Sequence, residues 1–188
     1  ITFQATLVFN QDIGTKQVTV NGNTYTAWDT SNVESMFATF CDATAFNNNN
    51  SATIGNWNTS KVINMQGMFQ GTDTTTWIPS PFNQNIHTKN VEIITGNPYT
   101  AWDTSKVEHM GNMFRLTSLN KDISDWDTSS VTNMAFMFAN ATSFNQNINS
   151  WDVSNVVTFA GMFRTATAFN QPLYNWDVSS ANNLTDMF

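Results

Sequence analysis

Cysteine is all but missing from this 188-residue sequence, and charge is scarce. One cysteine, Cys41, excludes an internal disulfide and any Cys-based metal cluster; it reads as a small buried apolar side chain. Charged residues make up 11% of the chain, where globular domains carry about a quarter. Seven basic residues, scattered from Lys16 to Arg164 and outnumbered by fourteen acidic ones, cannot form a phosphate-binding stripe, so nucleic acid is not expected as a partner. The net charge of −7 also disfavours docking on anionic lipid. No apolar run approaches the roughly 18 residues of a membrane-spanning helix, so no span is expected. The two histidines, His87 and His109, are isolated and offer no cluster for metal or general-base work. Gly-rich phosphate loops, Gly-x-Ser-x-Gly and His-Glu-x-x-His are all missing. The chain is therefore read as not an enzyme.

Neutral polar residues fill the gap, with 27 Asn and 27 Thr beside an apolar fraction of 40%. A W-[DN]-[TV]-S motif recurs at Trp28, Trp57, Trp102, Trp126, Trp151 and Trp176, the last four separated by 24, 25 and 25 residues. With Trp as position 0, position +5 holds Val33, Val62, Val107, Val131, Val156 and Ala181. Position +8 holds Met36, Met65, Met110, Met134, Phe159 and Leu184, and position +12 is Phe in every unit, from Phe40 to Phe188. In the regular units Ala141 and Ala166 follow at +15 and Phe144 and Phe169 at +18, then Asn-Gln. Self-similarity at such a period marks a repeat architecture.

Insertions interrupt the period near 14–27, 47–53, 72–81 and 87–101, and the first and last of these echo each other. Trp28 to Trp102 and Trp102 to Trp176 both span 74 residues, which suggests that the insertion in the first stretch supplies a third coil. The chain opens Ile1-Thr2-Phe3, without an initiator Met or a basic-plus-apolar leader, so any targeting signal is expected to have been removed or to lie outside this segment. It starts inside one repeat and stops inside another, with no polar capping unit at either end. The expectation is one open-ended unit over 1–188 whose coils continue into further sequence or onto another molecule.

Apolar residues at +5, +8, +11/+12 and +15 fit one face of an α-helix. The Ser at +3 stands where its hydroxyl caps a helix start. The Phe-Asn-Gln-x-Ile tail of each unit reads as a short strand. The predicted fold is thus an α/β repeat solenoid of coils about 25 residues long, each a short strand plus a short helix. Val18–Val20 with Asn21-Gly22, and Val91–Ile94 with Gly96-Asn97, read as hairpin-like insertions.

The unit WDTSxVTNMxxMFxxAxxFNQxIxx resembles the repeats of BspA-like surface proteins, which also occur as a repeat domain of unknown function in mycoplasma surface lipoproteins. The likeness runs from Phe9 to Phe188. It implies a leucine-rich-repeat-like α/β solenoid, cell-surface or secreted, engaged in adhesion to host or matrix, and it offers no catalytic residues to carry over.

The Asp at +1 recurs as Asp29, Asp103, Asp127, Asp152 and Asp177, and a stacked column of carboxylates needs compensation. Asx-type turns satisfied by backbone N–H are the simplest answer; Ca²⁺ bridging at Asp127, Asp152 and Asp177 is the alternative. The Asn-Gln pairs Asn10-Gln11, Asn83-Gln84, Asn145-Gln146 and Asn170-Gln171 read as an amide ladder between coils, with sugar binding as the rival. The recurrent Trp reads as core before carbohydrate platform. Trp77 stands outside the register in Thr74-Thr75-Thr76-Trp77-Ile78-Pro79 and is the candidate contact anchor. Asn49, Asn58, Asn140 and Asn183 head sequons that permit N-glycosylation. The expected function is a non-enzymatic extracellular structural or adhesive protein, a segment of a filament or cell-surface appendage. Its expected partners are further copies end to end, or other extracellular proteins and glycans. The alternative is a carbohydrate- or ligand-binding surface module.

Overall fold

Successive Trp-led units lie one on the next, held in register at position +7. There Ser35, Asn64, His109, Asn133, Thr158 and Asn183 form an unbroken run of parallel bridges. This computed structural model describes residues 2–72, 76–93 and 97–188.

No α-helix occurs among the described residues, and the expected helix-and-strand solenoid, with its leucine-rich-repeat character, is wrong. The reason lies in where the amides go. Those at +8, +10, +12 and +14 donate to the +7, +9, +11 and +13 carbonyls of the next unit: Met134 to Thr158, Phe136 to Ala160, Phe138 to Met162 and Asn140 to Arg164, at 2.7–3.1 Å. The intervening amides close i→i+3 turns within the unit, as in Met137 to Met134, Ala139 to Phe136 and Ala141 to Phe138. Position +10 takes a left-handed φ in each unit: Ala38 50°, Gly67 64°, Asn112 56°, Phe136 56°, Gly161 60°. A right-handed helix cannot propagate through such residues. Spacings of three and four apolar positions are thus produced by a succession of tight turns, which mimic a helical stripe in sequence.

The expected Ser cap also changes role. The Ser at +3 is a donor, its amide reaching the +1 Asp or Asn Oδ1 at 2.9–3.1 Å. The expected strand in the Phe-Asn-Gln tail is replaced by side-chain bonding. Each Asn amide donates to the Asn Oδ1 of the previous unit, through Asn10, Asn47, Asn83, Asn120, Asn145 and Asn170, at 2.8–3.0 Å. Gln84, Gln146 and Gln171 add Nε2 donors to the same acceptors. Asn47 and Asn120 complete a ladder that the Asn-Gln pairs alone do not reveal. The extra residues Asn48, Asn49 and Asn50 all have positive φ, 49° to 58°, a conformation Asn tolerates.

Among the described residues the strands form two antiparallel hairpins, β1 (Lys16–Val20) with β2 (Asn23–Ala27), and β3 (Lys89–Val91) with β4 (Tyr99–Ala101), beside two short 3-10 turns at Asn48–Asn50 and Ala52–Asn56. The Asn21-Gly22 turn has φ of 52° and 80°, as a two-residue primed turn requires. Ile94 and Gly96, expected in the second hairpin, lie outside the described residues. Neither insertion supplies a coil. Asn64 bridges His109 directly, so β3 and β4 branch off sideways between Ile86 and Trp102.

Aromatic rings fill the interior in columns. Phe3, Phe40, Phe69, Phe114, Phe138, Phe163 and Phe188 stack at 5.5–6.0 Å between centroids. A second column runs Trp57, Trp102, Trp126, Trp151 at 6.0–6.4 Å and within 5° of parallel. Each indole Nε1 of this column donates to the carbonyl of the Ile that precedes the previous unit's Trp, as in Trp151 to Ile123 at 3.0 Å, which satisfies its one buried donor. Such stacked pairs contribute about 0.5–1.5 kcal/mol beyond the area they bury. Val131, Met134 and Phe138 are fully buried, so the inward positions are those the repeat pattern marks.

Two predictions test this bonding. Asn145→Ala removes the acceptor of Asn170 N–H and Gln171 Nε2 and is expected to destabilise by about 1–2 kcal/mol. Exposed Thr142→Ala should cost under about 0.5 kcal/mol; equal urea midpoints for the two variants would refute the ladder's role. Asp12 ties the base of β1 to the next unit through Lys16 at 2.6 Å, Gly14 N–H at 3.1 Å and Thr53 Oγ1. Burial alone raises its pKa, but these partners outweigh burial and hold it at about 2. The unfolded chain therefore takes up this proton first, and the stabilisation present above pH 4 is lost as pH falls towards 2. Asp12→Asn should flatten the acid limb of a stability-versus-pH curve; an unchanged limb counts against the clamp.

Candidate functional site

The insertion after Gly71 leaves the stack and returns at Ser80. Thr72 and Ile78 exchange backbone hydrogen bonds at 2.9 and 3.0 Å, pinching the loop at its neck. Ser80 then rejoins the next unit by donating to Leu116 O at 2.7 Å and accepting from Ser118 N at 2.9 Å. Trp77 sits on this loop with φ of 44° and is 52% exposed. Thr74 and Thr75, read as its neighbours in a surface loop, lie outside the described residues.

Trp77 lines a cavity of about 130 Å³ together with Arg115, Phe136, Ala139, Asn140, Arg164 and Thr165. The sequence holds only two arginines, and both are here. Each occupies position +13, in units separated by one that carries Ala139 at the same place. The Arg115 guanidinium lies 5.9 Å from the Phe136 ring centroid, within reach of a cation–π attraction. Arg164 is exposed, and among the described residues its side chain meets no carboxylate within ion-pair distance.

Phe136 is the one aromatic residue at the left-handed +10 position, where the other units place Ala, Gly, Asn or Asp. A bulky side chain there is unusual. Its ring lies across Gly161 of the next unit, where an added Cβ would come within 2.3 Å of it. Glycine at 161 thus makes room for the ring that backs Arg115.

The other sequence candidates fall elsewhere. Asp127, Asp152 and Asp177 each spend Oδ1 on the amide of the Ser two residues on. At Asp29, Asp152 and Asp177 the Ser hydroxyl, then the Ser amide, holds the carboxyl below its ordinary range. Among the described residues no three His, Cys, Asp or Glu side chains come together to hold a metal. Trp57, Trp102, Trp126 and Trp151 are buried in the core and present no platform to solvent. His109 stands in the +7 bridge column and His87 beside Asn85. The arginines and Phe136 escaped a reading of motifs, because scattered cations carry no local pattern. Their shared repeat positions were the signal.

The geometry defines a turn-rich repeat protein whose units bond backbone to backbone along a stack, with the Trp77 groove at its side. Residues 3–97 and 88–188 each match the family described as Mycoplasma protein of unknown function, DUF285. The chain belongs to that family. None of the curated proteins and none of the solved structures matches it.

Gly161→Ala places a methyl against the Phe136 ring on a left-handed residue and should destabilise by about 1–3 kcal/mol. The double variant with Phe136→Ala should recover the steric share. Additive losses in that cycle, read by urea denaturation, would show that the ring does not depend on the glycine.

Proposed function

We propose that this chain is a non-enzymatic extracellular structural or adhesive repeat protein, a segment of a filament or cell-surface appendage. The observation that carries it is the uniformity of the junctions. Every unit offers the same amides on one side and the same carbonyls on the other, from Met36 to Phe163. Such a surface complements itself, so a second copy is the natural end-to-end partner. The surface chemistry supports an extracellular setting, being built from neutral amides and hydroxyls with little charge. The likeness of the unit to BspA-like surface proteins supports placement on the cell exterior and a part in adhesion. No helix among the described residues is long and apolar enough to cross a membrane.

A second reading has its own support. The Trp77 groove is lined by both arginines and a half-exposed aromatic ring, an arrangement suited to a ligand-binding surface module. The two readings are compatible, since a scaffold can present a contact site.

Sedimentation velocity across about a hundredfold range of protein concentration, with electron microscopy of the same samples, tests the first reading. Linear oligomers that lengthen with concentration are expected. A monodisperse monomer throughout overturns the filament.

A further inference from the structure

We infer that the Trp77 groove binds an acidic sugar residue, with Arg164 holding its carboxylate or sulfate and the Trp77 ring covering the sugar face. The inference rests on the ligand-binding reading of this groove and narrows it to one ligand chemistry.

Charge supplies the first argument. Two of the seven cations of an acidic chain meet in one small cavity. They stand two units apart, about 10 Å at the usual strand spacing of about 4.8 Å. Ala139, buried and small, lies between them and leaves the floor of the groove open. Their roles differ. Arg115 is half-buried, with its guanidinium beside the Phe136 ring. Arg164 is exposed and free to close on a ligand, and its planar fork matches a carboxylate or sulfate with two parallel hydrogen bonds.

The remaining lining argues for a sugar as the bearer of that charge. Asn140 and Thr165 add neutral donors and acceptors suited to hydroxyl groups. Trp77 adds a half-exposed apolar face on which the C–H side of a pyranose can rest. At about 130 Å³ the cavity is well below the roughly 300–1,000 Å³ of a site for a drug-sized ligand. It therefore takes one ring of a longer chain, as a surface protein meeting an acidic polysaccharide requires.

The test uses the whole chain, produced without N-glycosylation because Asn140 heads a sequon beside the groove. Isothermal titration compares three trisaccharides of one linkage, carrying a glucuronate, a 6-sulfated glucose or only neutral glucose. Inorganic sulfate and an acidic tetrapeptide serve as further arms. The acidic trisaccharides should bind at least tenfold tighter than the neutral one, and 0.5 M salt should erode that preference. Arg164→Gln should abolish the preference while leaving the thermal melt unchanged, since the side chain is exposed. Trp77→Ala should weaken acidic and neutral sugars alike. A preference retained in Arg164→Gln overturns the proposal, as does sulfate or the tetrapeptide binding as tightly as the acidic sugar. Equal binding of neutral and acidic sugars, lost in Trp77→Ala, overturns the acidic ligand but keeps the groove as a ligand site. Binding of none of the probes sinks both.

Discussion

Everything in this fold depends on giving every second amide of a tight turn to the neighbouring unit. A chain segment that spent all its N–H groups on itself would be a helix, complete in its backbone bonding and needing neighbours only for its apolar face. Here the donors at +8, +10, +12 and +14 have no acceptor within their own unit. An isolated unit would leave these groups unpaired, at a cost of about 1–3 kcal/mol for each one buried. The unit is therefore not a folding entity, and the stack is. The aromatic columns follow from the same constraint, because backbone bonds from one unit to the next bring equivalent side chains within stacking distance.

The columns in turn explain the composition. A ring that must lie parallel to its equivalents above and below can be Phe or Trp at a fixed position, and little else fits. Polar positions obey the same logic. The Asn ladder works because a carboxamide offers an acceptor to the next amide without carrying charge, and a row of carboxylates in its place would repel itself. At +1, where Asp does recur, each Oδ1 is occupied by a Ser amide. Scarcity of charge is thus a consequence of stacking identical units.

The repeat, its register and its inward face were legible in the sequence, since Val131, Met134 and Phe138 lie where their periodicity puts them. The conformation of the backbone was not. Spacings of three and four describe a helix and a chain of i→i+3 turns equally well. The difference lies in φ at +10, where Gly67, Asn112 and Gly161 hinted at left-handed residues but Ala38 and Phe136 did not. The first hairpin was readable from Asn21-Gly22. Trp77 could be singled out because it breaks the register. Arg115 and Arg164, two repeats apart, become neighbours only once the stack is known.

The two hairpins have one further meaning. Both leave the chain at the same corner, between the Ile that ends one unit and the Trp that opens the next, after Ile13 and after Ile86. At the second hairpin the stack closes over that corner undisturbed: Trp57 and Trp102 still face each other at 6.4 Å although the chain between them has wandered off and come back. The corner acts as a port. Segments of different length and chemistry can be threaded through it without altering the pitch of the rod. A lineage of such chains can therefore diversify its outer decoration while its inner architecture stays the same.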